Sequence, residues 1–233
     1  MLSIAEFDYA AAPDLFVGRV GVGPLLVALD TNILIYLAKY GEDIFEGVEP
    51  AGLEPQLSEQ LAALGAILNI WMMSDIRLYV SPHAVEAGEP ERDRELEAQV
   101  DNLAEALWHI ETWIEQAPSP APVARSDQRR MQEPRSLGDV VPERKRGRPN
   151  PDYLLVADAI DRGCHVFLTN DVRDLVRRSP ALAHWGILAM QPTQLLDELV
   201  AIPLSLGGLD RLLPDTHKWS YLLDCLGRSG PVQ

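Results

Sequence analysis

The chain has 233 residues, 47% of them hydrophobic, 24% charged and 6% aromatic, enough for one sizeable domain with extensions. Acidic residues outnumber basic ones 35 to 20, a formal net charge of −15, which excludes a globally basic nucleic-acid coat while leaving room for a local basic patch. No stretch approaches the roughly 18 uninterrupted apolar residues of a membrane span, and the first 14 residues lack a basic segment leading into an apolar one, so a soluble, cytoplasmic protein is expected.

In chain order, residues 1–24 read as an N-terminal extension. Gly18, Gly21 and Gly23 in GRVGVG precede the first strong strand instead of following it, so they read as a turn and not as a dinucleotide fingerprint. Leu25–Leu29 (LLVAL) is a short, continuous apolar run that predicts a buried strand. It ends in Asp30-Thr31-Asn32 and leads into ILIYLAKYG, whose spacing predicts a helix stopped at Gly41, followed by a loop over 41–55. A helix is predicted over 58–73 with Ser58 as N-cap, a strand over Ile76–Val80, and a short helix after Ser81-Pro82 that carries Glu86 on its first turn. Residues 91–116 give a long charged helix with a single apolar stripe through Leu96, Val100, Leu103, Leu107, Ile110 and Ile114.

The composition then changes. Residues 117–149 hold eight of the twenty basic residues against four acids, a net charge of +4 where the rest of the chain carries −19. Frequent proline and weak periodicity predict a loop that does not pack. Beyond it, Asn150 is placed to cap a helix begun by Pro151 and stopped by Gly163, 164–169 (CHVFLT) predicts a strand, and 171–178 a short helix. A further strand over 187–190 and a helix over 193–201 complete the alternation, and 202–233 reads as a C-terminal helical extension. Strands alternating with helices predict an α/β domain with a mainly parallel central sheet between two helical layers, spanning 25–201. Trp71, Trp108 and Trp113 fall on helical stripes and are expected in the core. Cys164 and Cys225 make no zinc-ligand spacing or disulfide framework, and Cys164 reads as a small buried hydrophobe.

In sheets of this class the groups that do chemistry gather beyond the carboxyl ends of the strands. Asp30 follows LLVAL, Asp171 follows CHVFLTN, Asp152 lies in the first turn of the helix leading into that strand, and Glu86 lies just past Val80. Carboxylates converging on one edge repel unless a cation sits among them, and an all-oxygen set suits Mg²⁺ or Mn²⁺. Asp174 competes with Asp171 as the fourth acid. Asp158 competes with Asp152, but six residues of helix turn it about 240° away, so one of the two must face elsewhere. His83 has no visible catalytic partner and reads as structural.

LLVALDTNILIYLAKYG resembles the opening of the PIN-domain nucleases, in which an apolar strand ends in Asp followed by Thr or Ser and Asn. SPHAVEAGE resembles the segment carrying that family's second acid, PDYLLVADA its Asp-led helix, and FLTNDVRDL its Thr-Asn-Asp-x-x-Asp turn. The resemblance implies a metal-dependent endoribonuclease preferring single-stranded RNA, with Asp30, Glu86 and Asp152 as metal ligands. Asp171 or Asp174 would complete the site, and Asn32 and Thr169 would donate hydrogen bonds that orient the carboxylates. Hydrolysis would leave a 5′-phosphate and a 3′-hydroxyl. Toxin-type members imply a basic inhibitor or antitoxin as partner, and self-association is a further expectation. This chain is longer than the compact toxin members. Its basic insertion, through Arg144, Lys145, Arg146 and Arg148, is placed to contact RNA phosphates. Two other readings stand beside this one: a catalytically weak module binding RNA or protein, and a phosphatase-like protein with Asp30 as phospho-acceptor. The second is disfavoured because Asp30 is followed by Thr-Asn, without the second Asp of that signature.

Overall fold

The structure, a computed structural model, describes residues 7–86, 94–115, 136–145 and 147–202. Its centre is a four-stranded, wholly parallel sheet in the order β4-β3-β7-β8, formed by β3 (Leu25–Leu29), β4 (Ile76–Val80), β7 (Val166–Leu168) and β8 (Leu188–Met190). The continuous apolar run of β3 is what a central parallel strand requires, since helices cover both of its faces. Helices α1 (Thr31–Glu46), α2 (Pro55–Met73) and α8 (Pro192–Ala201) pack together, as do α5 (Leu137–Val140), α6 (Pro151–Asp161) and α7 (Ser179–Leu182), giving an α/β/α sandwich. The short α3 (Pro82–Glu86) and the long α4 (Arg94–Glu115) flank the β4 edge. Among the described residues, no helix is long and apolar enough to cross a membrane.

The chain leaves β3 toward β4 on one side and leaves β7 toward β8 on the other, so strand order switches between β3 and β7. The carboxyl ends of these two strands carry Asp30 and Thr169. β3 and β7 pair in register from Val27 with Val166 to Leu29 with Leu168, and the Asp30 amide extends the ladder by donating to the Leu168 carbonyl at 3.0 Å.

The N-terminal segment belongs to the same core. β1 (Phe7–Asp8) pairs antiparallel with β2 (Val22–Gly23), and Phe7, Tyr9, Leu15 and Phe16 are buried against the sheet. Gly18 and Gly21 adopt positive φ, making the turn that GRVGVG predicts. Gly23 has a different reason to be glycine: a Cβ there would lie 2.6 Å from the Tyr9 hydroxyl, which donates to the Pro24 carbonyl.

Several predicted boundaries move. Gly41 does not stop α1, which runs on to Glu46 and ends at Gly47 in the left-handed conformation. Glycine inside a helix costs about 1 kcal/mol relative to alanine, and here packing overrides it. Gly41 is buried, and continuing the helix places Ile44 against Gly65 of α2. α2 begins earlier than expected because Pro55 occupies its first turn, leaving Ser58 inside the helix, where its hydroxyl donates to Glu49. The 171–178 segment is a turn followed by a 3-10 helix over Val176–Arg178. Trp71 is buried as expected, whereas Trp108 sits at the rim with its indole N–H donating to the Val80 carbonyl at 2.7 Å. The α4 stripe buries Val100, Leu103, Leu107 and Ile110. Cys164 is buried. Cys225, the 202–233 extension beyond Ile202, and the side chains of Trp113 and Ile114 lie outside the described residues.

The end of the basic insertion also departs from expectation. Its described part is ordered into elements: Val140 and Val141 are buried, and β5 (Arg144–Lys145) pairs with β6 (Arg148–Pro149), with Gly147 at positive φ between them. A Lys-Arg-Gly-Arg run with its glycine at the turn is a hairpin signal that the proline count obscures. Residues 116–135 and Arg146 lie outside the described residues.

Candidate metal centre

Asp30 stands where β3 becomes α1. Its Oδ1 accepts from the Thr31 amide at 2.7 Å, capping the helix, and its Oδ2 accepts from Asn32 Nδ2 and from Thr169 Oγ1, both at 2.5 Å. Thr169 is fully buried; its hydroxyl also accepts from Asn32 Nδ2 at 3.2 Å and from the Asp171 amide at 2.9 Å. Asn32 Oδ1 in turn accepts from the Asn170 amide at 3.1 Å. One network therefore ties the end of β3, the start of α1 and the turn after β7. Asn32 and Thr169 orient the Asp30 carboxylate from either strand end.

Burial pushes the Asp30 carboxyl up to about 6, against the lowering effect of the Thr169 and Thr31 hydrogen bonds, and the nearby charges of Asp152 and Asp171 raise it further. Such a carboxylate is costlier to ionise than an exposed one and gains from a nearby cation.

The other acids gather beside it. Asp152 comes from the first turn of α6, and Asp171 and Asp174 from the turn after β7. One carboxylate oxygen from each lies within 4.8 Å of the others, so the three can hold a metal ion among them. Asp171 Oδ1 accepts from the Asp174 amide at 2.9 Å, which fixes the turn that presents both acids. Both members of the Asp171–Asp174 alternative thus reach the cluster. The three-acid group does not include Asp30, whose oxygens are engaged by Thr31, Asn32 and Thr169, although the charges of Asp152 and Asp171 act on it. Glu86 ends α3 instead of lying on its first turn, and its side chain is outside the described residues. Asp158 turns away from Asp152, as the helical angle requires, and accepts from the Tyr79 hydroxyl at 2.7 Å.

A cation from the chain itself answers this charge. Lys145 of the hairpin donates to Asp174 Oδ2 at 3.0 Å and lies 3.8 Å from Asp152 Oδ2. The hydrogen bond from Lys145 holds the Asp174 carboxyl below its ordinary value, and that contact together with the Asp152 charge raises the Lys145 ammonium. Burial raises the Asp152 carboxyl, Lys145 opposes this, and Asp171 and Asp174 add to the rise. Arg178 donates to the Val140 carbonyl and lies 4.0 Å from Asp174, securing α5 beside the cluster. Arg144 and Arg148 are exposed on the hairpin. The sequence placed Lys145 among phosphate contacts; its pairing with Asp174 was hidden because it depends on the hairpin.

Asn150 precedes α6 as expected, but its side chain does not cap the helix. It is buried, with Nδ2 donating to the Pro142 carbonyl at 2.7 Å. This anchors the hairpin's approach to the helix that carries Asp152.

Comparison with family models, with curated proteins and with solved structures gives no match. The site must be read from its own chemistry. The three carboxylate oxygens at the strand-order switch could hold a divalent metal ion, and neither Cys nor His joins the three-acid group.

Proposed function

We propose that the chain is a Mg²⁺- or Mn²⁺-dependent endoribonuclease of the PIN type. The observation that carries this reading is the convergence of Asp152, Asp171 and Asp174 within 4.8 Å beside the buried Asp30. The ordered motifs that resemble the PIN family supply these same acids. When bound, a divalent ion would polarise the scissile phosphate and activate water for attack, leaving a 5′-phosphate and a 3′-hydroxyl.

The chain's own groups prepare the ground. Asp152, Asp171 and Asp174 would provide the oxygens that hold the ion. Asp30, fixed by Thr31, Asn32 and Thr169, adds negative charge that strengthens cation binding. Lys145 shields the acids in the absence of metal. Once displaced it is well placed to meet a phosphate oxygen, joined by Arg144, Arg146 and Arg148 of the same insertion.

The deciding experiment is cleavage of mixed single-stranded RNA by the purified chain in Mn²⁺, Mg²⁺ or EDTA, beside Asp152→Asn. Cleavage that requires metal and vanishes in the variant supports the reading. Metal binding by a folded chain that cuts no RNA favours the catalytically weak binding module. The Lys145 contact is the specific observation behind that second reading, because the chain already neutralises its own acids. A basic inhibitor segment using the same chemistry is the partner this site would accept.

A further inference from the structure

Beside the acidic cluster, on the α1 and α2 side, the turn after β7 forms one wall of a cleft of about 550 Å³. Asp171 belongs to both: it lines this cleft and contributes an oxygen to the three-acid group. Whatever fills the cleft therefore lies against the metal centre. The volume is that of a small-molecule site, yet most of the residues lining it are polar or charged. Tyr36 of α1 offers an aromatic ring, Gln56 of α2 an exposed amide, and Arg173 and Arg177 two exposed guanidinium groups. Asn170 adds a buried side-chain oxygen that meets no donor among the described residues.

These groups are the recognition set for a nucleotide. Guanidinium groups meet phosphate oxygens in forked pairs. An aromatic ring takes the face of an unstacked base, which only a single strand can present freely. Side-chain amides meet base edges or ribose hydroxyls. Glu54, on the same wall system, offsets part of the arginine charge, which disfavours a free polyanion and favours a ligand with one phosphate and an uncharged base and sugar.

We infer that this cleft is a nucleotide subsite, taking one unpaired residue of single-stranded RNA next to the scissile phosphate, its base on Tyr36 and its phosphate on Arg173 and Arg177. The inference rests on the nuclease reading for the identity of the neighbouring phosphate, but the cleft's binding can be measured without cleavage.

The test is fluorescence anisotropy of a labelled eight-nucleotide single-stranded RNA in Ca²⁺, across a salt series, with the full chain, Arg173→Ser/Arg177→Ser and Tyr36→Leu. Calorimetric Mn²⁺ binding is measured in parallel. The expected result is about a tenfold weaker Kd for each variant. The salt slope of the double variant should be shallower by ~1.4, two single-strand phosphate contacts having been removed. Mn²⁺ affinity should stay within twofold of the parent. Unchanged RNA Kd and slope in the double variant overturn the subsite, and metal-dependent cleavage that continues in that variant leaves the nuclease reading standing. Conversely, RNA binding that is lost in the cleft variants although the parent cleaves nothing supports the subsite and removes the nuclease reading. Failure of the parent to bind the oligonucleotide overturns the subsite. Weakened Mn²⁺ binding in the variants also overturns it, because the arginines would then act on the metal centre.

Discussion

Strands β3 and β7 lie side by side, and each end of the pair carries one buried titratable group. At the carboxyl end Asp30 is 5% exposed, and at the amino end His165 is 2% exposed, so burial alone does not distinguish them. Their surroundings do. His165 accepts from the Leu26 amide through Nδ1 at 3.0 Å and packs against the rings of Tyr9 and Phe16, which also contact each other, under the N-terminal segment. Arg19 seals that end by donating to the carbonyls of Gly163 and Gly186. Burial, reinforced by the Arg19 charge, pushes His165 down to about 3, so it stays neutral and works as a packed aromatic ring. Asp30 lies within reach of the Asp152 and Asp171 charges, and burial pushes it up to about 6. The amino end packs its imidazole among rings and leaves Nε2 without a partner among the described residues, whereas the carboxyl end concentrates like charge beside a cleft that Asp171 lines. Burial alone does not mark a functional site; like charges gathered around the buried group distinguish Asp30 from His165.

The largest effect that would break this contrast is on catalysis. Asp152→Asn removes one of three cluster oxygens and should lower Mn²⁺-dependent RNA cleavage by about 1,000-fold, roughly 4 kcal/mol of transition-state stabilisation. His165→Gln, at the other end of the strands, should leave the cleavage rate of the folded chain within a few-fold. Equal losses in both variants, measured as initial rates with saturating Mn²⁺, would erase the distinction.

The next largest effects concern stability in EDTA, where the two ends have opposite signs. His165 titrates at 6.5 in its ordinary state and at about 3 when folded, so between those values the unfolded chain binds the extra proton. Its contribution to stability is present above pH 6.5 and is lost as pH falls, by about 3 kcal/mol between pH 7 and pH 4. Asp30 rises from 3.8 to about 6, so here the folded chain binds the proton more tightly. Between pH 7 and pH 4 that group adds about 2 kcal/mol of stability on acidification. Urea unfolding at the two pH values should show His165→Gln gaining relative to the parent on acidification, and Asp30→Asn losing. Variants that shift in the same direction would mean that one of these environments has been assigned the wrong sign.

The carboxyl end was the more legible of the two. A continuous apolar run ending in Asp-Thr-Asn and a second strand ending in Thr-Asn-Asp fix both strand termini, and parallel pairing brings them together without further information. Asp152, Asp171 and Asp174 follow from the same logic, since each lies within a few residues of a strand end or helix start. Glycine and serine at helix ends misled, because Gly41 and Ser58 are governed by the α1–α2 packing of Ile44 on Gly65 and by Pro55, not by their own propensities. The amino end left no trace in any motif. His165 is made structural by Tyr9, Phe16 and Arg19, which lie about 150 residues away in sequence and meet it only in the fold. The cleft was hidden for the same reason: Tyr36 and Arg173 belong to different elements, and neither stands in a recognisable spacing.

Lys145 gives the smallest effect and the finest resolution of what the acidic end requires. Its ammonium is more than half exposed, so its pairing with Asp174 is screened by water and worth little to folding, on the order of 0–1 kcal/mol. Lys145→Met should therefore leave the unfolding midpoint nearly unchanged. The same exchange removes a cation that competes with metal for Asp152 and Asp174, so Mn²⁺ affinity measured by calorimetry should rise, by a factor of about 2–5. RNA affinity in Ca²⁺ should fall if the displaced lysine meets phosphate, and the two shifts in opposite directions would identify one side chain that occupies the acids at rest and the substrate when metal is bound. A rise in metal affinity with no loss of RNA affinity would make Lys145 a competitor only. The phosphate contacts of the hairpin would then fall to Arg144 and Arg148.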